Sequence, residues 1–147
     1  MNSKPLKILL ADDDSDDCLF FKKALEDLLL PTQLTIVEDG EQLMNYLYRN
    51  YKNLPDILFL DLSMPRKSGL ECLSEIKRDE QLKDLSLVML STSNSKETIS
   101  NVFRIGARVY IHKPGDFAQL KQVIHHVLPI ATEKVFSDSP VKYILNA

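Results

Sequence analysis

Short apolar runs alternate along the chain with longer segments in which apolar residues recur at helical spacing. Two of the runs, "ILFL" and "LVML", show no alternation of polar and apolar residues. A strand with this pattern is buried on both faces, as in a parallel sheet that is covered by helices on its two sides. The runs predict five strands, at 6–11, 33–38, 56–61, 85–91 and 108–112.

Each apolar run is followed by a segment of helical period. The first of these segments has one apolar stripe, made by Cys18, Phe21, Ala24, Leu25 and Leu28. The helices are predicted at 15–29, 41–50, 70–79, 95–105 and 116–128. The four glycines fall at predicted element boundaries and the seven prolines fall outside predicted interiors, which agrees with these bounds. Strict alternation of strands and helices with right-handed crossovers predicts a doubly wound α/β sheet.

Polar side chains collect where the predicted strands end. Asp12 and Asp13 follow the first strand, Asp61 ends the third, Ser91 ends the fourth and Lys113 follows the fifth. Ligands of doubly wound sheets bind beyond the carboxyl ends of the strands. We therefore expect three acids, a hydroxyl and an ammonium to converge on one edge of the sheet.

This set of side chains predicts a particular chemistry. Three carboxylates in one cleft repel one another unless a cation compensates them, and aspartate oxygens select a hard ion such as Mg²⁺. Beside a metal and an ammonium, a carboxylate oxygen can attack phosphorus. The set therefore predicts an aspartyl-phosphate site, with Asp61 central, Asp12 and Asp13 holding metal, and Lys113 and Ser91 contacting the phosphoryl group.

Composition narrows the class of protein. The chain has 147 residues and 44% hydrophobic content, which fits one buried core and is too short for two ordinary domains. A net charge of −3 argues against direct binding to nucleic acid or to anionic membranes. We expect a cytoplasmic protein, since the sequence has neither a signal-peptide pattern nor an apolar run of membrane-spanning length. Cys18 and Cys72 fit no metal spacing and are interpreted as reduced thiols in or near the core.

The acidic run "ADDDSDDC" at 11–18 divides by position. Asp12 and Asp13 are expected to face the cleft. The residues from Asp14 to Asp17 are expected to cap the first helix and to complement its dipole, because acidic side chains stabilise helix N-termini.

Four blocks of the sequence resemble the receiver domain of two-component response regulators, the CheY-like family. They are "ILLADDD", "DILFLDLSMPRKSGLE", "VMLSTS" and "GARVYIHKP". The resemblance covers about 5–128 and implies a flavodoxin-like five-stranded parallel sheet in the order 2-1-3-4-5 with five helices. The segments "VEDGEQLMNYL" and "STS" resemble the branch of single-domain regulators that serve phytochrome-type sensor kinases.

The resemblance also implies a role for each site residue. Asp61 would be the phosphoacceptor and, with Asp13, a direct Mg²⁺ ligand, while Asp12 would act mainly through water. The backbone carbonyl of Ser63 would complete the protein ligands. The phosphoryl oxygens would contact three backbone amides, those of Leu62, Ser63 and Thr92.

The resemblance further implies a switch. Lys113 would pair with the phosphoryl group, and the Lys113–Pro114 bond would be cis. Ser91 would move toward the new oxygens on phosphorylation and the Tyr110 ring would move inward, which changes the face formed by helix 4, strand 5 and helix 5.

The resemblance implies a signalling protein and not an enzyme. It would accept its phosphoryl group from a sensor histidine kinase or a histidine phosphotransfer protein, act on a downstream protein and exist as a monomer or weak homodimer. Residues 129–147 are expected to be a C-terminal extension without an output domain. Its "VKYIL" has strand character and would pack on the domain, pack on a partner subunit or fray.

Three other functions fit parts of the sequence. A haloacid-dehalogenase-type phosphatase would use Asp12 and Asp14, but Asp16 stands where Thr or Val is expected. A calcium-binding EF-hand loop from Asp12 lacks its required glycine, replaced by Asp17, and its closing glutamate, replaced by Lys23. A receiver that only binds partners is disfavoured by the intact set of site residues.

Overall fold

The computed structural model of the chain describes residues 4–93, 95–132 and 143–145. The strands in these residues are β1 (Leu6–Ala11), β2 (Thr32–Val37), β3 (Ile57–Asp61), β4 (Leu87–Ser91), β5 (Val109–His112) and β6 (Tyr143–Leu145). The helices are α1 (Ser15–Glu26), α2 (Gly40–Arg49), α3 (Gly69–Arg78), α4 (Lys96–Ile105) and α5 (Phe117–Thr132).

The strands form one parallel sheet in the order β2-β1-β3-β4-β5-β6. The predicted five-stranded order 2-1-3-4-5 is therefore confirmed. The short β6 extends the sheet beyond β5, with Tyr110 opposite Ile144. The rest of the predicted extension, residues 133–142 and 146–147, lies outside the described residues.

Both faces of the sheet are covered by helices, which explains the continuously apolar strands. Along β1, Ile8 and Leu10 face one core cluster, while Leu9 and Ala11 face the other. The first cluster includes apolar residues of α1 and α5, and the second includes those of α2, α3 and α4. Because the sheet is parallel, the carboxyl ends of β1, β3, β4 and β5 meet at one edge.

Helix α1 begins as predicted and ends earlier. The Asp14 side chain caps it, since its Oδ1 accepts hydrogen bonds from the amides of Asp16 at 2.9 Å and Asp17 at 3.1 Å. The helix ends at Glu26, whereas the apolar stripe predicted an end at 29. Asp27 is the C-cap residue, and the Leu28 amide donates to the Leu25 carbonyl at 3.0 Å, which closes the last turn with a tighter bond than that of an α-helix.

Helix α5 is longer than predicted. It continues to Thr132 through Pro129, so the expectation that every proline lies outside element interiors was wrong at this position. Pro129 is exposed, and water can therefore bond to the carbonyl that proline leaves without an amide donor. No helix in the described part of the chain is both long and apolar enough to cross a membrane.

Two glycines allow close backbone contacts of the loop between β3 and α3, Gly69 with the end of β3 and Gly40, at the start of α2, with the loop itself. A Cβ atom on Gly69 would lie 2.1 Å from the carbonyl oxygen of Asp61, and a Cβ atom on Gly40 would lie 2.1 Å from that of Lys67. Both contacts are too short for any other residue. The loop between β3 and α3 is therefore held against the end of β3, where Asp61 lies.

The substitution Gly69→Ala should destabilise the fold by at least about 1 kcal/mol, because the added methyl group must displace the Asp61 backbone. Urea unfolding measures the change. Gly115→Ala is the matched control, since a Cβ atom there meets no atom within 4 Å. Equal stability of the two variants would contradict the close approach at Gly69.

Candidate functional site

Three carboxylates meet at the carboxyl edge of the sheet. Oxygen atoms of Asp12, Asp13 and Asp61 all lie within 4.8 Å of one another. Asp12 and Asp61 are buried, while Asp13 is exposed. This donor set and spacing fit a hard divalent cation, and the exposed side leaves room for the water ligands that Mg²⁺ retains.

The ammonium group of Lys113 contacts three carboxylates, one just after β1, one in α1 and one at the end of β3. Its Nζ donates to Asp61 Oδ2 at 2.7 Å, to Asp17 Oδ2 at 2.8 Å and to Asp12 Oδ2 at 3.0 Å. The Lys113 side chain is only 15% exposed. Such charge-assisted hydrogen bonds in a poorly hydrated site are stronger than ion pairs at the surface.

Burial and charge set the protonation of this group of residues. Burial raises the pKa of Asp12 to about 6, although the Asp14 amide and Lys113 act in the opposite direction. For Lys113, burial acts to lower the pKa, but the hydrogen bonds with Asp17 and Asp61 outweigh it and the pKa is raised. Lys113 therefore stays protonated at neutral pH.

The loop after β3 contacts Asp61. The Ser63 amide donates to Asp61 Oδ1 at 3.0 Å, so one carboxylate oxygen faces this amide and the other faces Lys113. Ser63 is exposed and stands two residues beyond the strand end. Leu62 continues the sheet pairing, as its amide donates to the Leu90 carbonyl at 3.0 Å.

Ser91 lies beside the acidic site at the end of β4, and its side chain is turned toward its own loop. Its Oγ accepts a hydrogen bond from the Ser93 amide at 3.0 Å, and its carbonyl accepts one from the Lys113 amide at 2.8 Å. Thr92 is exposed, and its carbonyl lies 3.1 Å from His112 Nε2. Within the described residues, the Ser91 hydroxyl makes no hydrogen bond to a carboxylate of the cluster.

The Tyr110 ring already lies inside the protein, so the expected inward movement is not needed to reach this position. The ring is fully buried in the core cluster on the α4 side of the sheet. Its hydroxyl donates to the Ser93 carbonyl at 2.7 Å, which satisfies the polar end of an otherwise apolar side chain.

The expectation of a cis bond between Lys113 and Pro114 was wrong, because the described residues contain no cis peptide bond. The trans form is the intrinsically favoured one, even before proline.

Asp17 belongs to the site, and the sequence interpretation missed this. It was assigned to helix capping with its neighbours, but its carboxylate contacts Lys113. The signal was its position in the first turn of α1, since helical side chains lean toward the helix N-terminus and hence toward the end of β1.

The structure disfavours two alternative functions. Residues 15–26 are helical, so no EF-hand loop begins at Asp12. Asp14, which a phosphatase of the haloacid-dehalogenase type would need in the cleft, caps α1 instead.

Cys18 and Cys72 are free thiols, and burial raises the pKa of Cys18 to about 11 and that of Cys72 to about 12.

The fold and the site define a flavodoxin-like α/β domain with an acidic cluster and a lysine at the carboxyl edge of its sheet. The family model described as "Response regulator receiver domain" matches residues 8–125. The chain belongs to this family, as the four sequence blocks predicted.

Individual relatives agree with this assignment. The probable methanogenesis regulatory protein FilR2 of Methanothrix harundinacea is 30% identical over 84% of this chain and 81% of its own length. The response regulator Rcp1 of Synechocystis is 28% identical over 86% of this chain and 88% of its own length. The Mn²⁺-bound crystal structure of Rcp1 matches with a TM-score of 0.79 and covers 88% of this chain and 96% of that chain. The phosphorylated cyanobacterial phytochrome response regulator RcpA is 34% identical, with a TM-score of 0.78 over 84% of this chain and 91% of its own.

The stability of the metal-free protein should depend on the protonation of Asp12. The folded state keeps this proton up to about pH 6, whereas the carboxyl of an unfolded chain releases it near 3.8. The folded state thus binds more protons in this window, and the free energy of unfolding should fall as the pH rises, by on the order of 2 kcal/mol relative to Asp12→Asn. Urea unfolding with a chelator tests this. A wild type whose free energy of unfolding stays constant or rises relative to that of Asp12→Asn from pH 4 to 6 would contradict the burial of Asp12.

Proposed function

We propose that this chain is a phosphorylation-driven switch in which Asp61 accepts a phosphoryl group from a histidine kinase or a histidine phosphotransfer protein. The observation that carries the proposal is the 2.7 Å contact between Lys113 Nζ and Asp61 Oδ2 beside two further carboxylates. Membership of the receiver family supports the same assignment.

The ion would be Mg²⁺, held by Asp12, Asp13 and Asp61, with the backbone carbonyl of Ser63 as a further ligand. Support comes from the all-oxygen donor set and from the Mn²⁺-bound structure of the relative Rcp1. When bound, the ion would neutralise negative charge on the phosphoryl oxygens.

In the transfer step, an oxygen of Asp61 bonds to phosphorus while the bond from phosphorus to the donor histidine nitrogen breaks, and that nitrogen keeps the electron pair. Lys113 remains protonated and offers a donor to the phosphoryl oxygens. The amides of Ser63 and Thr92 would contact the same oxygens, whereas the Leu62 amide, which the family resemblance also implied as a donor, is bonded to the Leu90 carbonyl. The residues of this chain thus supply a nucleophile and fixed donors and need no general base.

Phosphorylation would reach the surface through the loop between β4 and α4. In the described part of this loop, hydrogen bonds run from Ser93 to Ser91, from Ser95 to Ser93, from Tyr110 to Ser93, and between His112 and Thr92. A phosphoryl oxygen that accepts a hydrogen bond from the Ser91 hydroxyl would pull Ser91 Oγ away from the Ser93 amide, weaken that bond and shift the loop. Tyr110 is already buried, so the shift would act on its hydrogen bond to Ser93 and not on the position of the ring. The change in this bond would alter the face of α4, β5 and α5.

The proposed switch assists only its own phosphotransfer and dephosphorylation, and it signals by contact with another protein. We assign residues 5–128 to the receiver domain and residues 129–147 to an extension of it. The cytoplasmic location stays a prediction from the sequence.

Intact mass spectrometry tests the phosphoacceptor. The protein incubated with Mg²⁺ and a small phosphodonor should gain the mass of one phosphoryl group, and Asp61→Asn should gain none, because an amide is not a nucleophile toward phosphorus. Asp84→Asn is the matched control, since Asp84 is exposed and precedes β4 at the opposite edge of the sheet. It should be phosphorylated as the wild type is.

Absence of the adduct from a folded, metal-binding wild type would refute the proposal. An adduct that persists in Asp61→Asn and disappears in Asp12→Asn would instead indicate a phosphatase-like nucleophile.

A further inference from the structure

We propose that Asp17 is a positioning residue that competes with the phosphoryl group for Lys113 and so limits phosphorylation of Asp61. This inference rests on the proposed function and adds a residue from α1 to it. The geometry that carries it is the contact of 2.8 Å between Asp17 Oδ2 and Lys113 Nζ, made from a helix that contributes no other carboxylate to this lysine within the described residues.

Lys113 has no donor to spare in the unphosphorylated protein. An ammonium group has three N–H donors, and contacts with Asp12, Asp17 and Asp61 occupy all three. A phosphoryl oxygen that pairs with Lys113 must therefore take the place of one of these carboxylates, or share a donor with it.

The three carboxylates that contact Lys113 differ in how readily they can release it. The side chain of Asp12 is 2% exposed, and a buried carboxylate that loses its partner is left without compensation. Asp61 carries the new group itself. The side chain of Asp17 is 41% exposed, so water can solvate it as soon as Lys113 leaves. Asp17 is thus the partner that is released at the lowest cost.

Charge also favours the release of Asp17 from Lys113. Asp17 keeps a negative charge next to the position at which the phosphoryl group adds another, and the two anions repel each other. After release, the Asp17 carboxylate still lies in the first turn of α1, where the helix dipole favours an acid. Both effects allow Asp17 to hold Lys113 in the unphosphorylated protein and to give it up when the phosphoryl group arrives.

Asp16 provides a matched control for this proposal. It lies in the same turn of α1 and carries the same charge, but it is exposed and makes no ion pair within the described residues. Asp16→Asn therefore removes one negative charge near the site without removing a partner of Lys113. A difference between the two variants reports the contact itself.

The test measures the affinity of the Mg²⁺-loaded protein for beryllofluoride, a phosphoryl analogue, by ¹⁹F NMR. Asp17→Asn should bind the analogue more tightly than the wild type, by on the order of fivefold, which is the size expected for one partly exposed ion pair. Asp17→Ala should change the affinity in the same direction, and Asp16→Asn should leave it near the wild-type value. The ¹⁵N resonance of Lys113 Nζ in the metal-free protein should shift in both Asp17 variants and stay in place in Asp16→Asn.

Unchanged or weaker binding by folded Asp17→Asn and Asp17→Ala would overturn the inference, and so would an equal gain in Asp16→Asn. In these cases the proposed function stands, because the wild type still binds the analogue. Failure of the wild type to bind it would contradict the proposed function and this inference together.

Discussion

The contact of one ammonium with three carboxylates is the interaction on which the site depends. Lys113 follows β5 and reaches Asp12 after β1, Asp61 at the end of β3 and Asp17 in α1. Asp13 lies beside Asp12 and Asp61, so four acids share the site with one lysine and it keeps an excess of negative charge. Removing a buried partner is costly because the remaining charge cannot regain water. The same excess favours a divalent cation and makes the arrangement sensitive to any further anion.

The fold provides this interaction through ordinary features of a parallel sheet. All strands end at one edge, and short loops carry the polar residues there. Gly69 allows the loop after β3 to lie against the strand at Asp61, and Gly40 allows the same loop to lie against the start of α2. The Ser91 carbonyl accepts a hydrogen bond from the Lys113 amide and its hydroxyl accepts one from the Ser93 amide, and Ser93 is bonded in turn to the buried Tyr110. A change of charge at Asp61 can therefore reach the surface helix α4 through Ser91 and the loop that follows it.

The strands, and the convergence of Asp12, Asp13, Asp61 and Lys113 at one edge of the sheet, could be predicted because their signals are local. Strands buried on both faces are continuously apolar, and their predicted bounds lie within two residues of those observed. Features set by tertiary contact were missed. The periodicity of α1 could not show that Asp17 reaches Lys113 across the site, nor could β5 alone show that Tyr110 is buried. Pro129 continues a helix because its exposed face allows hydration, which a residue pattern does not reveal. The expectation of a cis bond before Pro114 came from the family resemblance, and no residue pattern in the sequence itself had predicted it.

The most direct test of this account is the free energy of unfolding of Lys113→Met, measured with and without Mg²⁺. Loss of the ammonium leaves Asp12 and Asp61 uncompensated, so the metal-free variant should be less stable than the wild type by on the order of 3 kcal/mol. Mg²⁺ should stabilise the variant more than it stabilises the wild type, because the ion then replaces the missing charge. A variant as stable as the wild type without metal, with an equal response to Mg²⁺, would contradict the central role of Lys113.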